Sequence, residues 1–107
     1  MPTYNKLVRD KIPEIIRGSG RDCAFTTLDQ ESYVVELRKK LREETEEYFQ
    51  TMNDSDALEE LADMLELLYA LAEVHKGSPE KLEEVRAKKA EERGGFTEAV
   101  FLIEVGE

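Results

Sequence analysis

Two pairs of acids carry the spacing that metal chemistry needs. Glu44 and Glu47 stand three residues apart in one stretch of the chain, and Glu60 and Asp63 stand three apart in the next. Residues at that spacing share one face of a helix. On a helical wheel at about 100° per residue, Glu44 falls inside the apolar arc of Val34, Leu37, Leu41, Tyr48 and Met52, and Glu47 lies at its edge beside Lys40. Glu60 falls inside a second arc, between Leu67 and Leu71 in projection, with Asp63 at the border. A hairpin about Asn53 and Asp54 sets Glu47 level with Glu60 and Glu44 level with Asp63. Four carboxylates then converge in a partly buried cleft. Unpaired buried charges are costly and raise one another's pKa, so such a cluster calls for a cation. Hard oxygen ligands suit Mg²⁺ or Mn²⁺, which keep several waters and often share their shell with substrate phosphates. The chain holds 19 Glu and 6 Asp, so one Glu-x-x-Glu pair alone is an ordinary solvated face. The matched placement about the turn is what singles these four out.

Two strong helical patterns must position them. One spans residues 30–51, with apolar residues at spacings of three and four, and the other spans 56–75. Between them, Met52-Asn53-Asp54-Ser55 is the break, with Asn53 suited to a C-cap and Asp56 with Glu59 to a capping pair. Residues 4–17 read as a basic lead-in and a helix capped by Asp10, with Pro13 in its first turn and Gly18-Ser19-Gly20 as the stop. Ser78-Pro79-Glu80 starts a third, highly charged helix that reaches about Glu92 and packs by a narrow stripe of Leu82, Val85 and Ala90. Gly94-Gly95 ends it. Residues 23–28 and the tail 96–105 have strand-like composition, and the expected fold is a mainly helical bundle with a small β-strand pair at its edge.

At 107 residues the chain is one domain's worth. Its 15 Lys+Arg against 25 Asp+Glu, a net charge of -10, argue against a nucleic-acid-binding surface, which needs a basic face. No run approaches the roughly 18–20 apolar residues of a membrane span, and the polar start lacks a signal-peptide stretch, so a cytoplasmic address is expected. One cysteine, Cys23, and one histidine, His75, make a disulfide, a His-rich zinc site or a Ser-His-Asp triad poor candidates. Chemistry falls to carboxylates, lysines and arginines.

The acidic stretches are also where the sequence is familiar. Lys40-Leu41-Arg42-Glu43-Glu44-Thr45-Glu46-Glu47, followed by Glu59-Glu60-Leu61-Ala62-Asp63-Met64-Leu65, resembles the two-part Glu-x-x-Glu … Glu-x-x-Asp signature of the MazG-like, all-α nucleoside triphosphate pyrophosphohydrolase superfamily. The opening Tyr4-Asn5-Lys6-Leu7-Val8-Arg9-Asp10-Lys11-Ile12-Pro13 and the closing Arg93-Gly94-Gly95-Phe96 resemble those of its small single-domain branch. The resemblance implies one MazG-like domain over residues 1–107, in which Glu44, Glu47, Glu60 and Asp63 hold Mg²⁺. It also implies cleavage between the α- and β-phosphates of a nucleoside triphosphate. A carboxylate must orient or deprotonate the attacking water, and Glu43, off the apolar arc, is the candidate beside the metal-bound acids.

A triphosphate substrate also wants cations beyond the metal. Lys40 lies on the acidic face, Lys6, Arg9 and Lys11 stud the opening segment, and Lys88, Lys89 and Arg93 cluster at the end of the third helix. The 56–75 helix is apolar over more than half its circumference, so it must be covered on several sides. A homo-oligomer, dimer or tetramer, is therefore expected, with Leu58, Leu61, Leu65, Leu68 and Tyr69 at the interface. Two other readings stand beside the enzyme: a phosphoribosyl-ATP pyrophosphohydrolase of histidine biosynthesis, and a helical assembly module whose acids are structural.

Overall fold

The computed structural model describes residues 2–106 as four helices: α1 (Ile12–Gly18), α2 (Gln30–Phe49), α3 (Asp54–Val74) and α4 (Pro79–Arg93). Each long helix starts on a short polar side chain that takes up a backbone donor the helix itself leaves unpaired. The Asp29 carboxylate accepts the Ser32 N–H at 2.8 Å, the Asn53 side chain accepts that of Asp56 at 2.8 Å, and the Ser78 hydroxyl accepts that of Lys81 at 3.0 Å. Asn53 thus begins α3 instead of ending α2, and its amide also donates to the Asp56 carboxylate at 3.0 Å. That exchange makes Asn53 and Asp56 the capping pair, and Glu59 is not needed for it. Asp10 does not cap α1. The chain enters that helix through a backbone turn, with the Ile12 N–H on the Arg9 carbonyl and the Ile15 N–H on that of Lys11, and Pro13 brings no N–H for a cap to accept.

α3 ends where Lys76 adopts a left-handed conformation (φ 65°). The Gly77 N–H then reaches back to the Ala72 carbonyl at 2.8 Å and the Lys76 N–H to that of Glu73 at 3.0 Å. Gly77 is favoured by closeness, because a Cβ there would stand 3.1 Å from the Ala72 oxygen and the backbone would have to give by a few tenths of an ångström.

α2 packs on α3 as a hairpin, and α4 packs on α3 alone. The shared core is small. Leu37 of α2 is 2% exposed, Leu67 of α3 is buried, and the third buried side chain is the acid Glu44. The molecule is correspondingly drawn out. Its radius of gyration is 18.4 Å, against about 13 Å for a compact chain of this length. Its accessible area is 9825 Å², against roughly 6,100 Å² for a compact protein of 12.3 kDa.

Among the described residues there is no strand, so the small β pair expected at the edge does not form within the chain. A strand needs a partner for its N–H and C=O groups. Among its described residues the tail carries only the Ala99-to-Phe96 turn bond, and Phe96, Val100, Phe101, Ile103 and Val105 all stand in solvent.

Candidate metal centre

The α2–α3 hairpin brings three of the four expected acids together. Glu44, Glu47 and Glu60 each place a carboxylate oxygen within 4.8 Å of the others. The turn at Asn53 makes this possible, since α2 and α3 leave it antiparallel and each acid faces its counterpart one helix across. Their environments differ: Glu44 is buried, Glu60 half-buried and Glu47 exposed. Two oxygens, Glu44 Oε2 and Glu60 Oε2, are shut from solvent and have no hydrogen-bond partner. Buried acceptors are nearly always satisfied, so a pair of orphans facing each other asks for a cation or a proton.

The electrostatics answer in the same sense. Burial pushes the Glu44 carboxyl above its usual range, the facing Glu60 carboxyl pushes it further, and Glu47 and the Lys40 ammonium pull the other way. Lys40 sits one turn back on α2, with its Nζ 3.7 Å from Glu44 Oε1. One half-buried lysine does not neutralise three carboxylates. The donor set is all hard oxygen, partly buried and open on the Glu47 side, which fits a hard divalent cation with retained waters without selecting Mg²⁺ over another.

Asp63, the fourth acid, is not in the cluster. It is held by Arg9, whose guanidinium donates to Asp63 Oδ1 at 2.6 Å and stands 3.7 Å from Glu66 Oε1. Arg9, Asp63 and Glu66 line a cavity of about 300 Å³, together with Val8, Ile12, Lys40, Glu44 and Leu67. The cavity thus has an apolar side (Val8, Ile12, Leu67), two cations, and Glu44 at the edge shared with the acid cluster. Glu66 joins the site beyond the four spaced acids while remaining exposed. Its signal is the three-residue ladder Glu60, Asp63, Glu66 on α3.

The remaining expected site residues separate into two groups. Lys6 and the half-buried Glu43 face a neighbouring groove with Asn5, Leu7, Glu36, Lys39 and Lys40. Lys11, Lys88, Lys89 and Arg93 are exposed and line neither cavity, and α4 has no packing contact with α2. Within one copy the hairpin does not bring the α4 cations to the acids.

No family model matches the chain, and no solved structure matches it. An uncharacterised protein of Mycolicibacterium smegmatis is 50% identical to it over 42 residues, 39% of this chain and 43% of that protein. The chain therefore spans less than half the length of that curated relative. No helix among the described residues is long and apolar enough to cross a membrane.

Proposed function

We propose that this chain is a MazG-like nucleoside triphosphate pyrophosphohydrolase, dependent on Mg²⁺ or Mn²⁺ and active as a homo-oligomer. The observation that carries the reading is the pair of buried, partnerless oxygens on Glu44 and Glu60, gathered with Glu47 across the hairpin. In this reading Glu44, Glu47, Glu60 and Asp63 hold the ion. A divalent ion held there offsets polyphosphate charge and makes a water acidic enough to attack. Lys40 and Arg9, at the cavity beside the cluster, meet the phosphates, with Lys6 and Lys11 supplying further positive charge from the opening segment. Water adds across the α–β anhydride, the bridging P–O bond breaks, and nucleoside monophosphate and pyrophosphate leave. Clearing surplus or non-canonical nucleotides in this way would place the protein in the cytoplasm.

The test is a panel of nucleoside triphosphates with Mg²⁺, in which pyrophosphate and monophosphate are quantified together. Equal amounts of the two products are expected from at least one nucleotide. Absence of pyrophosphate from every nucleotide would sink the reading, and turnover of phosphoribosyl-ATP alone would move the protein to histidine biosynthesis.

The Glu43 carboxylate and a cluster acid compete for the proton of the attacking water. Glu43→Gln is expected to keep wild-type Mn²⁺ affinity, because Glu43 lies outside the gathered acids. A fall in kcat of about 100-fold or more, the usual size of a general-base contribution, assigns the proton to Glu43. A fall of less than about threefold returns it to the cluster.

The oligomer follows from uncovered apolar surface. Leu58, Leu61, Leu65 and Leu68 form one exposed stripe on α3, at the spacing of a single helix face. The area beyond that of a compact chain is about 3,700 Å², and obligate interfaces bury about 1,000–2,500 Å² on each partner. A second copy on α3 leaves area for more contacts, which the strand-like tail and α4 supply. Lys88, Lys89 and Arg93 then reach the acids from a neighbouring copy.

A further inference from the structure

Arg9 stands where a metal-site acid ought to be free. It is the cation on Asp63, at 2.6 Å, and it comes from a segment 54 residues away in sequence. The three gathered acids have no such partner: Lys40 reaches Glu44 only at 3.7 Å, and two buried oxygens are left unpaired. The opening segment thus takes one specific carboxylate out of the α2–α3 set and leaves the other three short of charge. Arg9 also lines the cavity that Glu44 and Asp63 share, so the same guanidinium looks toward the place where an anionic ligand would enter.

We propose that Arg9 is a built-in latch on Asp63, a positioning residue that competes with the divalent ion for the fourth carboxylate and is released toward the substrate's phosphates when the ion takes it. This deepens the metal-dependent reading above and rests on it. Two features make the latch able to let go. The pair is half exposed, with Arg9 at 54% and Asp63 at 41% of side-chain area, and exposed ion pairs are weak and screened by salt. Glu66, 3.7 Å from the guanidinium, gives it a second carboxylate to rest on during the exchange. Metal and polyphosphate then bind with positive coupling: the ion frees the cation, and the anion keeps it from returning.

Mn²⁺ titration of the full chain by calorimetry or electron paramagnetic resonance tests this in four proteins: wild type, Arg9→Gln, Asp63→Asn and the double variant. Arg9→Gln is expected to bind Mn²⁺ about two- to fivefold more tightly than wild type, the range open to an exposed pair. The gain should vanish in the Asp63→Asn background, which separates release of Asp63 from a general loss of positive charge. Arg9→Lys, which keeps the charge without the fork of donors, should fall between wild type and Arg9→Gln. Addition of a non-hydrolysable triphosphate should tighten Mn²⁺ binding in wild type and less so in Arg9→Gln. Unchanged or weaker Mn²⁺ binding by Arg9→Gln, or an equal gain without Asp63, overturns the latch and leaves the metal site standing. Absence of Mn²⁺ binding in all four proteins overturns both.

Discussion

Glu44→Gln is expected to stabilise the metal-free protein at neutral pH while abolishing its response to Mg²⁺. Glu44 is the only charged side chain buried in the small hairpin core among the described residues, and one of its oxygens has no partner. Burial, and then the facing Glu60, raise its carboxyl above the usual range. The folded state therefore binds more protons than the unfolded chain between the ordinary glutamate value and the raised one. The metal-free wild type is accordingly most stable below the ordinary value, and it loses that stability as pH rises through the raised one. A neutral amide of the same shape removes this slope. The gain above the window is about 1 kcal/mol, the lower end of the penalty for an unsatisfied buried group, because the amide is itself incompletely paired.

Metal reverses the order. In the proposed metal-dependent reading, a divalent ion would bind the ionised carboxylate and stabilise the native state in proportion to its occupancy, more so at higher pH. Melting temperatures with chelator and with millimolar Mg²⁺ check both halves. Wild type should rise with Mg²⁺ and Glu44→Gln should not, its metal affinity being lower by about 100-fold or more. A variant that is less stable than wild type in chelator would mean that Glu44 is satisfied in the fold.

The second large effect belongs to α3. Paired substitution of Leu61 and Leu65 by Glu is expected to dissociate the proposed oligomer to monomers and to lower the melting temperature steeply. The two leucines are 42% and 44% exposed in the single chain. Within a monomer their replacement would therefore cost little, since substitutions at exposed sites usually stay within about 0.5 kcal/mol. In an assembly the same positions are covered, and two charges on each copy would be buried without partners. Sedimentation or light scattering reads the mass, and wild type should exceed one chain. A monomeric wild type, or a variant with unchanged mass and melting behaviour, would remove α3 from the interface.

Much of the hairpin was legible in the sequence, because helical periodicity and caps are local. Leu37 and Glu44 fall on one arc of the wheel, and both are buried. Ser78 and Pro79 announce α4, and Ser78 caps it. Asn53 was legible as a break but not as the start of α3. An Asn suits either end of a helix, and only the backbone bend that puts its side chain on the Asp56 N–H decides between them. The tail shows the opposite limit. Its Val, Ile and Phe content states a preference for strand, yet a strand exists only with a neighbour to pair with, and none lies beside it among the described residues.

The sequence by itself determined that α2 and α3 each carry two acids on one face, with Glu44 and Glu60 among apolar residues, since positions three apart on a helix share a face whatever the rest of the chain does. The tertiary structure alone decided that Glu44, Glu47 and Glu60 gather while Asp63 goes to Arg9. That choice depends on where the opening segment lies against the hairpin, a contact between residues far apart in the chain that no local periodicity records.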